Sequence, residues 1–202
     1  MGRKTSKERK KDIVEATLEL IGEKGIESLR TSQIAEKVGF SEAALYKHFS
    51  DKKEVVKATI QTAGNELIKS LKNSIRDSKN DEDLTKLRKV LETNMNFIRN
   101  HPGITRLLFS DEVHFNEKNL QKELYNIISK YRKIIKNLLK DGKGNNEVRE
   151  DLNLDAAFSL YFGMIQSQIL FWSFTGGKES LQEQEDELWT LFRRTIEKED
   201  TE

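Results

Sequence analysis

A chain of 202 residues is long enough to bury a core and to form one domain or two small ones. Charged residues make up 34%, yet the formal net charge is only +1, which excludes a generally basic coat and confines any nucleic-acid contact to a local patch. No cysteine is present, which excludes a disulfide framework, a thiolate metal site and a thiol nucleophile.

No apolar run follows Met1-Gly2-Arg3-Lys4, so no secretory signal is expected and a cytoplasmic location is the default. Helical periodicity then runs nearly end to end, with no strand alternation, and predicts an all-α fold. Thr5 and Glu8 have the spacing of a capping box ahead of Ile13, Val14, Leu20 and Ile21, and Gly25 closes this first helix. The stretch Leu29–Phe49 reads as helix–turn–helix. Thr31 is expected to cap a short helix with Ile34, Ala35 and Val38 inward, and Gly39 sits where the chain must turn sharply. Ser41 caps the second helix, Glu42 places negative charge at its positive end, and Phe40, Leu45 and Phe49 point back to the core. That leaves Ala43, Ala44 and Lys47 on the leading face, with Tyr46 and His48 beside them. Small residues let the backbone approach base edges, lysine reaches guanine or phosphate, and Tyr and His donate to phosphate oxygens. Lys52 and Lys53 open the next helix, where ammonium groups and backbone N–H groups together favour a phosphate. Arg3, Lys4, Lys7, Arg9, Lys10 and Lys11, against a single Glu8, form the one dense basic run. Two short helices around a glycine are common, and a basic run alone is usually a solvated tail. Their combination points to DNA.

Asp51 and Glu54 repeat the capping device ahead of the stripe Val56, Ile60, Ala63, Leu67 and Leu71. Leu84, Leu87, Leu91, Met95 and Ile98 mark the next helix, ended at His101-Pro102-Gly103, and Ile104–Phe109 is a short one. Leu120 through Leu139 repeats at three- and four-residue steps, and Asp141–Asn146 is the plainest loop. From Ala156 to Gly177 no residue is charged. Gln166 and Gln168 at mid-length make a membrane span costly, so a helix buried inside the protein is expected, capped by Asn153. Leu181, Leu188, Leu191 and Phe192 stripe the last helix. Neither His101 nor His114 has a metal-ligand partner at helical spacing, and no cofactor is expected.

The run Thr31-Ser32-Gln33-Ile34-Ala35, then Val38-Gly39-Phe40-Ser41, Leu45-Tyr46-Lys47-His48-Phe49 and Lys52-Lys53 resembles the signature of the tetracycline-repressor-like (TetR) family, over roughly residues 8–56. Val38-Gly39-Phe40 departs from the commoner Ala-Gly-Val. The resemblance implies a dimeric, all-helical repressor released from double-stranded DNA by a small ligand. By position it implies phosphate contacts for Thr31, Tyr46, His48 and Lys52, and base contacts for Ser32, Glu42, Ala43, Ala44 and Lys47. It divides the chain into a helix-turn-helix DNA-binding domain at 1–53 and a ligand-binding and dimerisation domain at 54–202.

A dimer on a palindromic operator needs reading heads ~34–36 Å apart. Ser159, Gly163 and Ser167, small residues every fourth position, together with Leu188, Trp189 and Phe192, are the expected homodimer interface. An effector pocket, apolar or amphipathic in preference, is expected among Asn94, Met95, Phe97, Phe109, Tyr125, Phe158, Phe162 and Gln166. The rival of the same fold is a DNA-binding dimer controlled by a partner protein, or an architectural one, with no small ligand. An enzyme is not expected: there is no phosphate-binding glycine loop, no nucleophile elbow and no paired histidines.

Overall fold

The computed structural model describes residues 5–113, 117–175 and 181–199, the last stretch with side chains from residue 184 onward. Among the described residues there are nine helices: α1 (Ser6–Lys24), α2 (Thr31–Lys37), α3 (Glu42–Tyr46), α4 (Lys52–Asp77), α5 (Asp83–Asn100), α6 (Pro102–Leu108), α7 (Lys118–Gly144), α8 (Leu154–Phe174) and α9 (Leu181–Ile196). The predicted all-α class holds. By contact the chain forms two compact units, Met1–Glu66 with Ile98–Ile127 and Leu67–Phe97 with Ile128–Glu202. Helix α4 runs unbroken through the position where the sequence suggests a domain boundary. Arg3, Lys4 and His114 lie outside the described residues, as does the side chain of Leu181.

In the first unit, local chemistry sets the helix ends. The Glu8 amide donates to Thr5 Oγ1 (3.3 Å) and the Thr5 amide to Glu8 Oε2 (2.6 Å), closing the capping box, and Gly25 leaves α1 at φ +79°. Asp51 Oδ1 accepts from the Glu54 amide at 2.9 Å and caps α4. Pro102 occupies the first turn of α6, where its missing N–H costs nothing. Buried Ile13, Val14, Leu20 and Ile21 form the inward face of α1. Helix α1 packs on α6 through two glycines. A Cβ on Gly103 would lie 2.0 Å from the carbonyl oxygen of Leu18, and one on Gly22 would lie 3.1 Å from the Gly103 amide nitrogen. At Gly103 only hydrogen fits, because the neighbour is backbone.

In the second unit Leu84, Leu87, Leu91 and Met95 of α5 are buried, as are Tyr131, Ile135, Leu138 and Leu139 of α7. The expected loop at Asp141–Asn146 is not one: α7 continues through Gly144. Gly142 is buried, and a Cβ there would meet Val148 Cγ2 at 2.8 Å, so its bare backbone seats the returning chain. Glycine here serves close approach, and the turn begins only after it. Glu147 then caps α5 by accepting from the Leu84 amide (2.9 Å), and the Arg149 amide donates to the Ile196 carbonyl (2.9 Å). An isolated antiparallel bridge, Val148 to Glu197, thereby ties the end of α9 to the α7–α8 turn.

Asn153 caps α8 as expected, accepting from the Asp155 and Ala156 amides. The uncharged helix is not buried all round. Ala156, Ser159, Leu160 and Gly163 are exposed, as are Phe171 (58%) and Phe174 (74%) near its end. No described helix is long and apolar enough to cross a membrane.

Gly103→Ala should lower stability by ~1–3 kcal/mol through overpacking against α1. Gly144→Ala, where an added Cβ meets nothing within 4 Å, should be neutral or stabilising by up to ~1 kcal/mol. Urea melts check both; equal midpoints for the two variants would mean that α6 is not seated on α1 by this contact.

Candidate nucleic-acid interface

Helix α2 begins one residue earlier than the cap chemistry of Thr31 suggests. Arg30 holds the extended cap position, and its amide donates to Gln33 Oε1 at 3.3 Å. Thr31 is thus the first helical residue, and its hydroxyl has a different use. After α2, the Gly39 amide donates to the Glu36 carbonyl (3.0 Å) and the Phe40 amide to Ala35 (2.8 Å), with Gly39 at φ +71°. That left-handed turn reverses the chain, and Ser41 Oγ starts α3 by accepting from the Ala44 amide at 3.2 Å. Leu45 and Phe49 are buried, whereas Phe40 is half-buried beneath the Arg9 guanidinium, 5.3 Å from its ring centre.

The outer face of this pair matches the expected reading surface in part. Ser32, Glu42, Ala43, Tyr46 and Lys47 are exposed, and Ala44 and His48 are half-buried. Thr31 Oγ1 donates to Glu42 Oε1 and lies 3.2 Å from the Tyr46 hydroxyl, so three of the predicted contact residues form one cluster. His48 Nδ1 lies 3.5 Å from Ser6 Oγ at the start of α1.

The cations divide into two groups. From Thr5 onward the basic run is helical, with Lys10 Nζ over the Phe49 ring at 5.4 Å and Lys11 paired to Glu15 at 3.4 Å. Lys37 sits between Glu19 and Glu23, whose hydrogen bonds, Glu19 first, raise its pKa above the ordinary lysine value. Lys52 Nζ donates to the Ile26 carbonyl (2.9 Å), which ties the start of α4 to the turn after α1. Lys53 Nζ meets Glu117 Oε1 at 2.5 Å, and that hydrogen bond holds its pKa above the ordinary value, with Asp51 and Glu112 adding to the negative field. Among the described residues Lys47, just past the end of α3, has no carboxylate partner and is exposed. Sequence reading missed Glu117, which lies 64 positions from Lys53 with no local pattern to connect them.

The predicted effector residues do not all come together. Phe109 (42%) and Tyr125 (69%) are exposed and belong to the first unit. Asn94, Met95, Phe97, Phe158, Phe162 and Gln166 belong to the second. Phe158 and Phe162 stack at 5.5 Å, and both approach Tyr131. Asn94 Nδ2 donates to the Tyr131 hydroxyl at 3.1 Å, and the Tyr161 hydroxyl to the Leu87 carbonyl at 2.9 Å. Burial pushes both phenols well above the usual tyrosine pKa. The carbonyl oxygens of Asn94, Gln166 and Gln168 are buried without a partner among the described residues. Gln168, Met95, Met164 and Leu188 line a cavity of about 10 Å³. Tyr161 and Gln168 were absent from the expected set, although Tyr161 continues the step of Phe158 and Ile165.

The predicted interface residues also split. Ser159 and Gly163 are exposed, while Ser167 and Leu188 are half-buried. Trp189 and Phe192 are buried in their own unit, Phe192 edge-on to Tyr161 at 5.4 Å. Leu191 (60% exposed) takes the outward position on α9 instead.

Residues 13–59 match the model of the bacterial regulatory proteins of the tetR family, and residues 60–195 that of the YsiA-like protein C-terminal region. Among curated proteins the chain resembles the nucleoid occlusion factor SlmA of Haemophilus influenzae, strain PittGG, with 28% identity over 120 residues. That match covers 59% of this chain and only about half (54%) of the relative. The SlmA of Alteromonas mediterranea is 25% identical over 92% of this chain and 94% of its own. Among solved structures, FadR from Bacillus subtilis in complex with stearoyl-CoA superposes with a TM-score of 0.81 at 20% identity, over 90% of this chain and 96% of that one. The ketosteroid regulator KstR2 of Mycobacterium tuberculosis gives 0.73 at 19% identity, over 95% and 96%. With residues 13–59 and 60–195 matched in succession, the protein belongs to the TetR family of DNA-binding transcriptional regulators.

Proposed function

We propose that the protein is a homodimeric repressor that binds a palindromic operator through residues 1–53 and is released when a small apolar or amphipathic effector enters the helical region 54–202. The observation that carries the DNA half is the outer face of α3 and the residue after it: exposed Ala43, and Lys47, which has no carboxylate partner among the described residues. Small side chains and a free cation are what close approach to a major-groove edge needs. The effector half rests on three buried carbonyl oxygens with no donor among the described residues, since such groups are costly unless something supplies a hydrogen bond. The cavity beside Gln168 is too small for an effector as it stands, so the ligand must favour a state in which flexible Met95 and Met164 give way. A structural neighbour crystallised with stearoyl-CoA makes a long-chain acyl compound the first probe.

The exposed apolar face of α8, Leu160, Phe171 and Phe174 with Gly163 among them, suits a second copy better than water. A second reading has one observation in its favour: curated relatives are named nucleoid occlusion factors. In it the dimer binds DNA without a small ligand, under the control of a partner protein.

Stearoyl-CoA, or another lipophilic compound from a panel, is expected to raise the melting temperature, by an amount equivalent to ~2.7 kcal/mol at a hundredfold excess over its Kd, and to weaken operator binding at the same concentrations. A panel with no stabilising compound would favour the second reading. Gly163→Leu is expected to convert a dimer into a folded monomer by sedimentation, because a Cβ added at this exposed position meets nothing within 4 Å among the described residues; an unchanged dimer would place the interface elsewhere. Glu117→Gln removes the negative charge that holds Lys53. Affinity for all DNA sequences should rise several-fold, and the slope of log K against log salt should steepen by ~0.9 as one more ammonium reaches a phosphate. An unchanged slope would mean that Lys53 does not touch DNA.

A further inference from the structure

We infer that the cavity beside Gln168 takes a protonated lipophilic amine, whose ammonium group donates to Gln168 Oε1 and to the carboxylate of Glu185. The inference rests on the effector reading proposed above and names the chemical class of that effector. The cavity lies wholly within the second unit. Leu91 and Met95 of α5, Met164 and Ile165 of α8 and Leu188 of α9 make its lining apolar. Two polar side chains interrupt that lining. Gln168 is 7% exposed, and its Oε1 is buried with no donor among the described residues. Glu185, 6% exposed, brings a carboxylate to the same cavity.

The orphaned atom of Gln168 is an acceptor, and an ionised carboxylate can only accept. With about four acceptor sites, the Glu185 carboxylate can receive a ligand N–H beside the interaction it makes within the chain. Its charge reaches the interior: after burial and Tyr131, it adds to what raises the Tyr161 pKa. Among the described residues no lysine or arginine lines the cavity, which leaves the matching charge to a ligand. A ketone or a carboxylate would set acceptors against acceptors, and the carboxylate would also meet a like charge. A hydroxyl has one proton to give, whereas an ammonium group has three and a positive charge. Hydrogen bonds between charged partners are the stronger kind, and more so away from bulk water. A cavity of about 10 Å³ is near the smallest that holds one water. The ammonium head is of that size, and the carbon chain needs the flexible side chains of Met95 and Met164 to give way.

The test is calorimetric titration of the full-length protein with decylamine, decanol and decanoate, three heads on one chain, each at neutral pH and below its micelle concentration. Decylamine should bind about tenfold or more tighter than decanol, and decanoate should bind weakest. Glu185→Gln should bring decylamine down to the affinity of decanol. Gln168→Leu replaces an orphaned polar group with an apolar one; it should melt at or above the wild-type temperature and still bind decylamine several-fold more weakly. The assignment is overturned if decanoate binds as tightly as decylamine, if either folded variant keeps the wild-type affinity for decylamine, or if none of the three binds. Should none bind while stearoyl-CoA or another compound of the panel still stabilises the protein, the effector reading stands and the amine assignment alone falls. If no compound stabilises it, both fall.

Discussion

The close approach of α6 to α1 sets what the first unit can be. At Gly103 the backbone of one helix lies against a main-chain carbonyl of the other with no room for a methyl group. A contact of that kind is steric and has no soft side chain to absorb a change of a few tenths of an ångström. Helix α1 therefore holds a fixed position against α6, and α1 in turn carries the packing of α2 and, through Ser6 and Arg9, the surroundings of His48 and Phe40. The short helices α2 and α3, too brief to be stable alone, depend on that support.

Electrostatics on this unit are arranged by pairing more than by quantity. Lys37, Lys52 and Lys53 all find acceptors within the chain, whereas Lys47 finds none among the described residues. A surface ion pair contributes little to stability, so Lys53 with Glu117 matters chiefly as a choice between partners. The near-zero net charge read from composition has the same physical content: affinity for polyanions is concentrated where carboxylates leave a cation free.

What could be read in advance followed the range of the interaction. Caps at Thr5, Ser41, Asp51 and Asn153 act over two or three residues and were legible in the sequence, as was the positive φ of Gly39. Thr31 was displaced by one position because its hydroxyl is used eleven residues away, at Glu42, and a local rule has no access to that. Gly142 resembles a loop residue by type, but its buried place depends on Val148 folding back onto it. Periodicity put Leu191 and Phe192 on one apolar stripe without telling which neighbour covers it; Phe192 is buried beside Trp189 in its own unit, and Leu191 faces out. The effector residues divided between two units for the same reason, since apolar character says that a side chain is covered and not by what.

Both tryptophans of the chain, Trp172 and Trp189, lie on α8 and α9, the second of them buried beside Phe192. Helices α1 to α3 contain none. Intrinsic emission excited at the red edge of the absorption band therefore comes from one half of the molecule alone. A change in it on adding operator can arise only if events at α3 alter the environment of α8 or α9. The placement of two indoles thus gives the protein a built-in optical gauge of communication between its halves, without any label.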